Sequence, residues 1–173
     1  MPRAAISSTD KPLVRWLHFS NDMTRETKKI LVATDFSEGS DEAFERALDL
    51  GKPTEAALEL VHVLEFGDSG HLPFGLINYA GDPGALAGTV ERELAIRADR
   101  ANAAGLRCYT RMLEGNASQE IVREAREAHA DLIVIGTHGR RGVAHMMVGS
   151  VAERVVRHAS CPVLTVPFSK KAA

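Results

Sequence analysis

Leu132-Ile-Val-Ile-Gly136-Thr137-His138-Gly139-Arg140-Arg141-Gly142-Val-Ala-His-Met-Met-Val-Gly149-Ser150 decides the fold of this chain, together with the amphipathic segment 151–159 that follows it. Residues 132–135 are a short, wholly apolar run closed by a glycine, which reads as a buried strand. Strand, glycine-rich loop and helix start thus follow one another. That order gathers backbone N–H groups, a hydroxyl and a helix N-terminus around one spot, as a phosphate group requires.

The same alternation extends outward in both directions. Residues 30–33 read as a buried strand, and a helix then runs to Leu50, pairing Ala43 with Ala47 and Phe44 with Leu48, with Gly51 placed to cap it. Residues 57–64 form a second strand. Residues 86–104 carry Leu86, Val90, Leu94 and Ala98 at helical spacing, and Gly105 stops that helix. A third strand is expected over 106–113, a helix over 118–129, the fourth strand over 132–135, a helix over 151–159 and the last strand over 162–166. Strands alternating with helices predict an α/β fold, a doubly wound parallel five-stranded sheet with helices on both faces. Residues 1–26 read as an N-terminal extension, with Trp16, Leu17 and Phe19 as an apolar patch and Met23 as an internal start. Residues 27–168 form the domain and 169–173 a tail. The glycine- and proline-rich connection 65–85 reads as a lid or binding loop beside the site.

With 173 residues, 45% of them hydrophobic and 25% charged, the chain has the composition of one globular domain. A net charge of -2 and 5% aromatic residues argue against a nucleic-acid partner. No apolar run reaches membrane-spanning length, so no membrane partner is expected. The two cysteines, Cys108 and Cys161, form no CxxC pair, which fits a reducing, cytoplasmic setting. The seven histidines tempt a metal reading, but none stands in a ligand set with carboxylates or cysteines. His62 within the second strand reads as a hydrogen-bonded core residue.

Open α/β sheets bind ligands beyond the carboxyl ends of their strands, where the strand order reverses. Thr34-Asp35-Phe36-Ser37 follows the first strand and the glycine loop follows the fourth. Spacing alone does not give the strand order, but a sheet ordered 3-2-1-4-5 would make those two loops neighbours and unite them in one crevice. Gly136 and Gly139 permit close backbone approach, and Arg140 and Arg141 add charge for phosphate oxygens. Structural readings stand beside each of these. Ser150 stands three residues before Glu153, the capping-box spacing, and Gly149 can simply turn the chain. Asp35 or Ser37 can be an N-cap or an Asx-turn, and Val63 by periodicity is a core strand residue. The spacing is neither a P-loop nor a dinucleotide fingerprint.

Gly136-x2-Gly139-x9-Gly149-Ser150 resembles the nucleotide-binding signature of the universal stress protein family. Lys29-Ile-Leu-Val-Ala-Thr-Asp-Phe-Ser, Leu60-Val-His-Val-Leu and the closing His-Ala-Ser-Cys-Pro-Val run are similar to that family in the same order. The resemblance covers Lys28 to Val166. It implies small cytoplasmic proteins of this fold, often homodimers joined through the last strand (162–166), with one ATP-binding branch. It places Asp35 beside the adenosine and the Val63 backbone on the adenine. Gly136, Gly139, Gly149 and Ser150 fall on ribose and phosphates, with Val151 at the helix start beside them. Ala33, Thr34, Thr137, His138, Arg140, Arg141 and Gly142 complete the nucleotide-binding set. Ala33 departs from the proline that many members carry there.

The expected function is therefore a stress-response or signalling protein that binds ATP or another adenine nucleotide as a switch. Mg²⁺ or Mn²⁺ would arrive with the triphosphate rather than on protein side chains. No general base with an orienting partner stands near the motif, so an enzyme is not expected. Two alternatives remain open. One is an ATP-pyrophosphatase-like adenylating enzyme, suggested by Ser37-Glu-Gly-Ser-Asp41, and the other a dimeric interaction module with a vestigial nucleotide site.

Overall fold

The three most apolar runs of the chain lie side by side at the centre of one sheet. The computed structural model describes residues 27–65, 83–137 and 149–168. Its strands are β1 (Lys29–Ala33), β2 (Ala57–Leu64), β3 (Cys108–Glu114), β4 (Leu132–Gly136) and β5 (Val163–Val166). All pairings are parallel, as the sequence predicts, in the order β3-β2-β1-β4-β5. Helices α1 (Glu38–Thr54), α2 (Pro83–Ala103), α3 (Ala117–Glu127) and α4 (Ser150–His158) form the outer layers.

Side chains alternate between the two faces of the sheet. Ile30, Val32, Leu58, Leu60 and Val134 pack with Phe44 and Ala47 of α1 and Val90 and Leu94 of α2. Leu31, Ala33, Val61, Ile133 and Ile135 pack with Ile121 and Ala125 of α3 and Val155 of α4. Both faces are covered, so the central strands read as near-continuous apolar runs rather than alternating, interrupted in β2 by the buried Glu59 and His62.

Element ends are where the sequence reading needs correction. Gly51 does not cap α1. It is buried inside the helix, where a Cβ would stand 3.2 and 3.3 Å from the two methyls of Leu106. The helix runs on to Thr54 even though Pro53 occupies its last turn. The left-handed position after α1 is taken by Glu55, at φ 53°, where Ala56 N–H reaches Gly51 C=O at 3.1 Å. Gly105, at φ 86°, ends α2 as expected, with its N–H on Asn102 C=O at 2.9 Å and Leu106 N–H on Ala101 C=O at 3.0 Å. This is the Schellman pairing, and it explains why β3 begins at Cys108 rather than at residue 106. Leu106 completes the helix end and fills the space above Gly51. α3 ends the same way, with His129 at φ 53° and Ala130 N–H on Ala125 C=O at 2.8 Å.

Candidate functional site

The carboxyl ends of β1, β2 and β4 meet along one edge of the sheet, because Ala33 is in register with both Val61 and Ile135. The strand order reverses between β1 and β4, the position at which open α/β sheets bind their ligands. In β2, Ala57 N–H donates to Lys28 C=O and Val61 C=O accepts from Thr34 N–H, the residues that flank β1. By the same alternation Val63 turns its main chain toward the gap beyond the end of β1.

The loop after β1 is built by its own side chains. Thr34, buried, accepts from Phe36 N–H at 3.1 Å and lies 3.1 Å from the Ser40 hydroxyl. Asp35 Oδ1 accepts from Ser37 N–H at 3.1 Å and from the Ser37 hydroxyl at 2.5 Å. Ser37 in turn caps α1, accepting from Ser40 N–H at 3.3 Å. The Asx-turn and the N-cap read from sequence thus both exist, with Asp35 forming the turn and Ser37 the cap. Residues 38–41 are already helical. Ser37-Glu-Gly-Ser-Asp41 is thus a capped helix start.

Phe36 holds a left-handed backbone at φ 62°, rare for a bulky side chain. Its ring is stacked on His62 at 4.4 Å and has the Arg97 guanidinium 5.0 Å from its centroid. His62 is buried, with Nδ1 2.8 Å from Thr34 C=O, as a packed core histidine should be. Arg97 bonds Asp41 and Glu93 at 2.7 Å each. Desolvation works against its charged form, but those two carboxylates outweigh it and raise the guanidinium pKa. Sequence reasoning missed Phe36 and Arg97 as supports of the loop. They lie far apart in the chain with no local pattern joining them.

The glycines after β4 do steric work that the structure makes explicit. A Cβ on Gly136 would stand 2.7 Å from Gly39 O and 2.9 Å from Gly39 C, so this glycine lets α1 approach β4. A Cβ on Gly149 would stand 2.7 Å from Thr137 O, and Gly149 N–H donates to that same oxygen at 2.6 Å. Thr137 N–H in turn bonds Val166 C=O at 2.9 Å. The two ends of the glycine loop are thereby pinned together at the sheet edge.

Ser150 is not the cap that its spacing to Glu153 suggests. Gly149 is the N-cap of α4, with no side-chain hydrogen bond, and Ser150 is the first helical residue, exposed. The close contact between Gly149 and Thr137 fixes the helix start one residue too early for a capping box. Ala33, Thr34, Asp35, Val63, Gly136, Thr137, Gly149, Ser150 and Val151 thus all lie at the carboxyl edge or at the start of α4. His138, Gly139, Arg140, Arg141 and Gly142 lie outside the described residues, as does most of the connection 65–85. Among the described residues no group of three or more His, Cys, Asp or Glu can hold a metal ion.

Residues 26–167 match the model of the universal stress protein family. The chain belongs to that family. A universal stress protein of Methanocaldococcus jannaschii is 36% identical over 148 residues, covering 83% of this chain and 84% of its own length. Among solved structures, a universal stress protein from Lactobacillus plantarum has a TM-score of 0.71 at 25% identity, covering 82% of this chain and 99% of its own. A universal stress protein solved in complex with cAMP has a TM-score of 0.62 at 27% identity, covering 84% of this chain and all of its own. The family resemblance read from the glycine signature and the flanking strands is correct, and so is the universal stress protein strand order.

Proposed function

We propose that the chain binds an adenine nucleotide, ATP in the first instance, in the crevice between β1 and β4, and that occupancy switches its conformation or its partners. The observation that carries this reading is the meeting, at one edge, of Asp35, the outward-facing main chain of Val63, and a helix start left without a side-chain cap. The first amides of a helix have no intrahelical partner, and at α4 no side chain at the cap takes one. The cAMP-bound relative supports an adenine-containing ligand.

In this reading Asp35 lies beside the adenosine and Val63 offers its main chain to the adenine. Gly136, Gly149, Ser150 and Val151 sit against ribose and phosphates, with Ala33, Thr34 and Thr137 shaping the edge. His138, Gly139, Arg140, Arg141 and Gly142 belong to the same proposed set. Mg²⁺ or Mn²⁺ would be held by the triphosphate and water. The protein is a binder rather than an enzyme, cytoplasmic, and a homodimer through the edge strand β5.

Calorimetric titration of the full chain with ATP, AMP and cAMP tests binding, and a phosphate- and pyrophosphate-release assay tests turnover. Heat with ATP and no sustained release supports the switch. Steady pyrophosphate release with a co-substrate would instead favour an adenylating enzyme, and absence of heat at high protein concentration a module with a vestigial site.

A further inference from the structure

The outer face of α3 and α4 takes no part in the proposed nucleotide site, yet three arginines and a histidine line one groove there. A groove of about 390 Å³ runs between these helices, lined among others by Ser118, Val122, Arg123, Arg126, Arg154 and His158. Arg123 is paired with Glu120. Arg126 and Arg154 are exposed and form no ion pair with any carboxylate among the described residues. His158 Nδ1 lies 2.8 Å from Arg154 C=O, which turns Nε2 away from the helix backbone. A chain of net charge -2 thus concentrates positive side chains in one place.

The geometry favours an extended acidic segment over a phosphate. A phosphate cradle needs backbone amides, and two of those at the start of α3 already have side-chain partners. Ala117 N–H donates to the Glu65 carboxylate at 2.9 Å and Gln119 N–H to Asn116 Oδ1 at 3.3 Å. The cations come from side chains alone, spread along parallel helices. From Ser118 to Arg126 the helix rise covers roughly 12 Å, which an extended peptide spans in about four residues. Guanidinium groups pair bidentately with carboxylates, and Val122 supplies an apolar floor. We propose that the α3–α4 groove is a docking surface for a carboxylate-rich peptide segment of a partner protein.

The test is fluorescence anisotropy of a labelled hexaglutamate peptide titrated with the full chain at low salt. Saturable binding that weakens steeply with added salt is expected. Arg126→Glu with Arg154→Glu should weaken it by about tenfold or more. The charge-matched pair Arg46→Glu with Arg157→Glu, outside the groove, should change it by less than about twofold. ATP titration of the groove variant should match the parent chain, so the outcome is separate from that of the nucleotide site. If thermal melting shows the groove variant unfolded, Arg126→Gln with Arg154→Gln makes the same comparison. The proposal is overturned by absent saturation, by equal loss in the charge-matched pair, or by no loss in the groove variant. It is also overturned if inorganic tripolyphosphate binds in an Arg126- and Arg154-dependent way while hexaglutamate does not.

Discussion

His129 and Glu55 both hold φ 53° at helix ends, a conformation that costs an L-residue about 1–2 kcal/mol and glycine almost nothing. Glycine also gains entropy in the unfolded chain, which offsets part of that difference. His129→Gly is therefore expected to raise stability by about 0.5–1 kcal/mol in urea denaturation; a loss would contradict the strain argument. The glycines of the site behave oppositely. At Gly136 the added methyl of alanine meets rigid main chain at 2.7 Å, so Gly136→Ala should destabilise the fold by roughly 1–3 kcal/mol or more. Ser150, exposed and outside any cap, should tolerate alanine within about 0.5 kcal/mol. Paired melts of the two variants check both, and they matter for design. Loss of ATP binding in a Gly136 variant would say nothing about the phosphates, whereas loss in Ser150→Ala would.

Between elements, β2, β3 and α3 share a buried polar cluster. Glu59 and Glu124 are 4% and 6% exposed, and Arg111 Nε stands 3.5 Å from a carboxylate oxygen of each. Lys29 Nζ lies 3.4 Å from Glu59 Oε2, an oxygen with no hydrogen bond. Burial first, then the hydrogen bond and charge of Glu59, push the Glu124 carboxyl above its ordinary range. An acid whose folded pKa is raised binds its proton more tightly in the folded state, so its contribution grows as pH falls toward the ordinary glutamate value and is lost as pH rises through the folded one. Glu124→Gln should remove that contribution, and with it the decline in stability that it causes as pH rises above the ordinary glutamate range. Denaturation at several pH values checks it, and an unchanged slope would place the coupling elsewhere. Element identities were legible because apolar periodicity is local, and β2 matches its sequence reading to the residue. Element ends were not. Gly51 reads as a stop until Leu106, far along the chain, is seen to need its missing side chain. Glu55 and His129 take left-handed positions that no residue-type rule assigns to them. Ser150 likewise reads as a cap until the contact between Gly149 and Thr137 moves the helix start. Asp35, Gly136 and Gly149 were visible as candidates, but the stack of His62, Phe36 and Arg97 that supports their loop joins three elements and left no trace in any one of them.

At the scale of the molecule, β5 is the edge strand beside β4 among the described residues. The carbonyls of Pro162 and Val166 face β4, accepting from Ile133 and Thr137, so the alternate residues Val163 and Thr165 turn their main chain outward. Thr165→Pro removes an outward donor while sparing the inner ladder. If two copies pair through this edge, sedimentation should find the parent chain at twice the mass of the variant; equal masses would contradict that mode of pairing. The proposed nucleotide site lies at the carboxyl ends of β1 and β4, where the strand order reverses and residues from both halves of the fold meet. Calorimetric titration with ATP of the parent chain, Ser150→Ala and Asp35→Asn tests it most directly. Asparagine keeps the turn-forming oxygen while removing the charge. The account predicts saturable binding by the parent chain and weaker binding by both variants at unchanged melting temperature. Undiminished ATP affinity in both, or no heat from the parent chain at all, would contradict it.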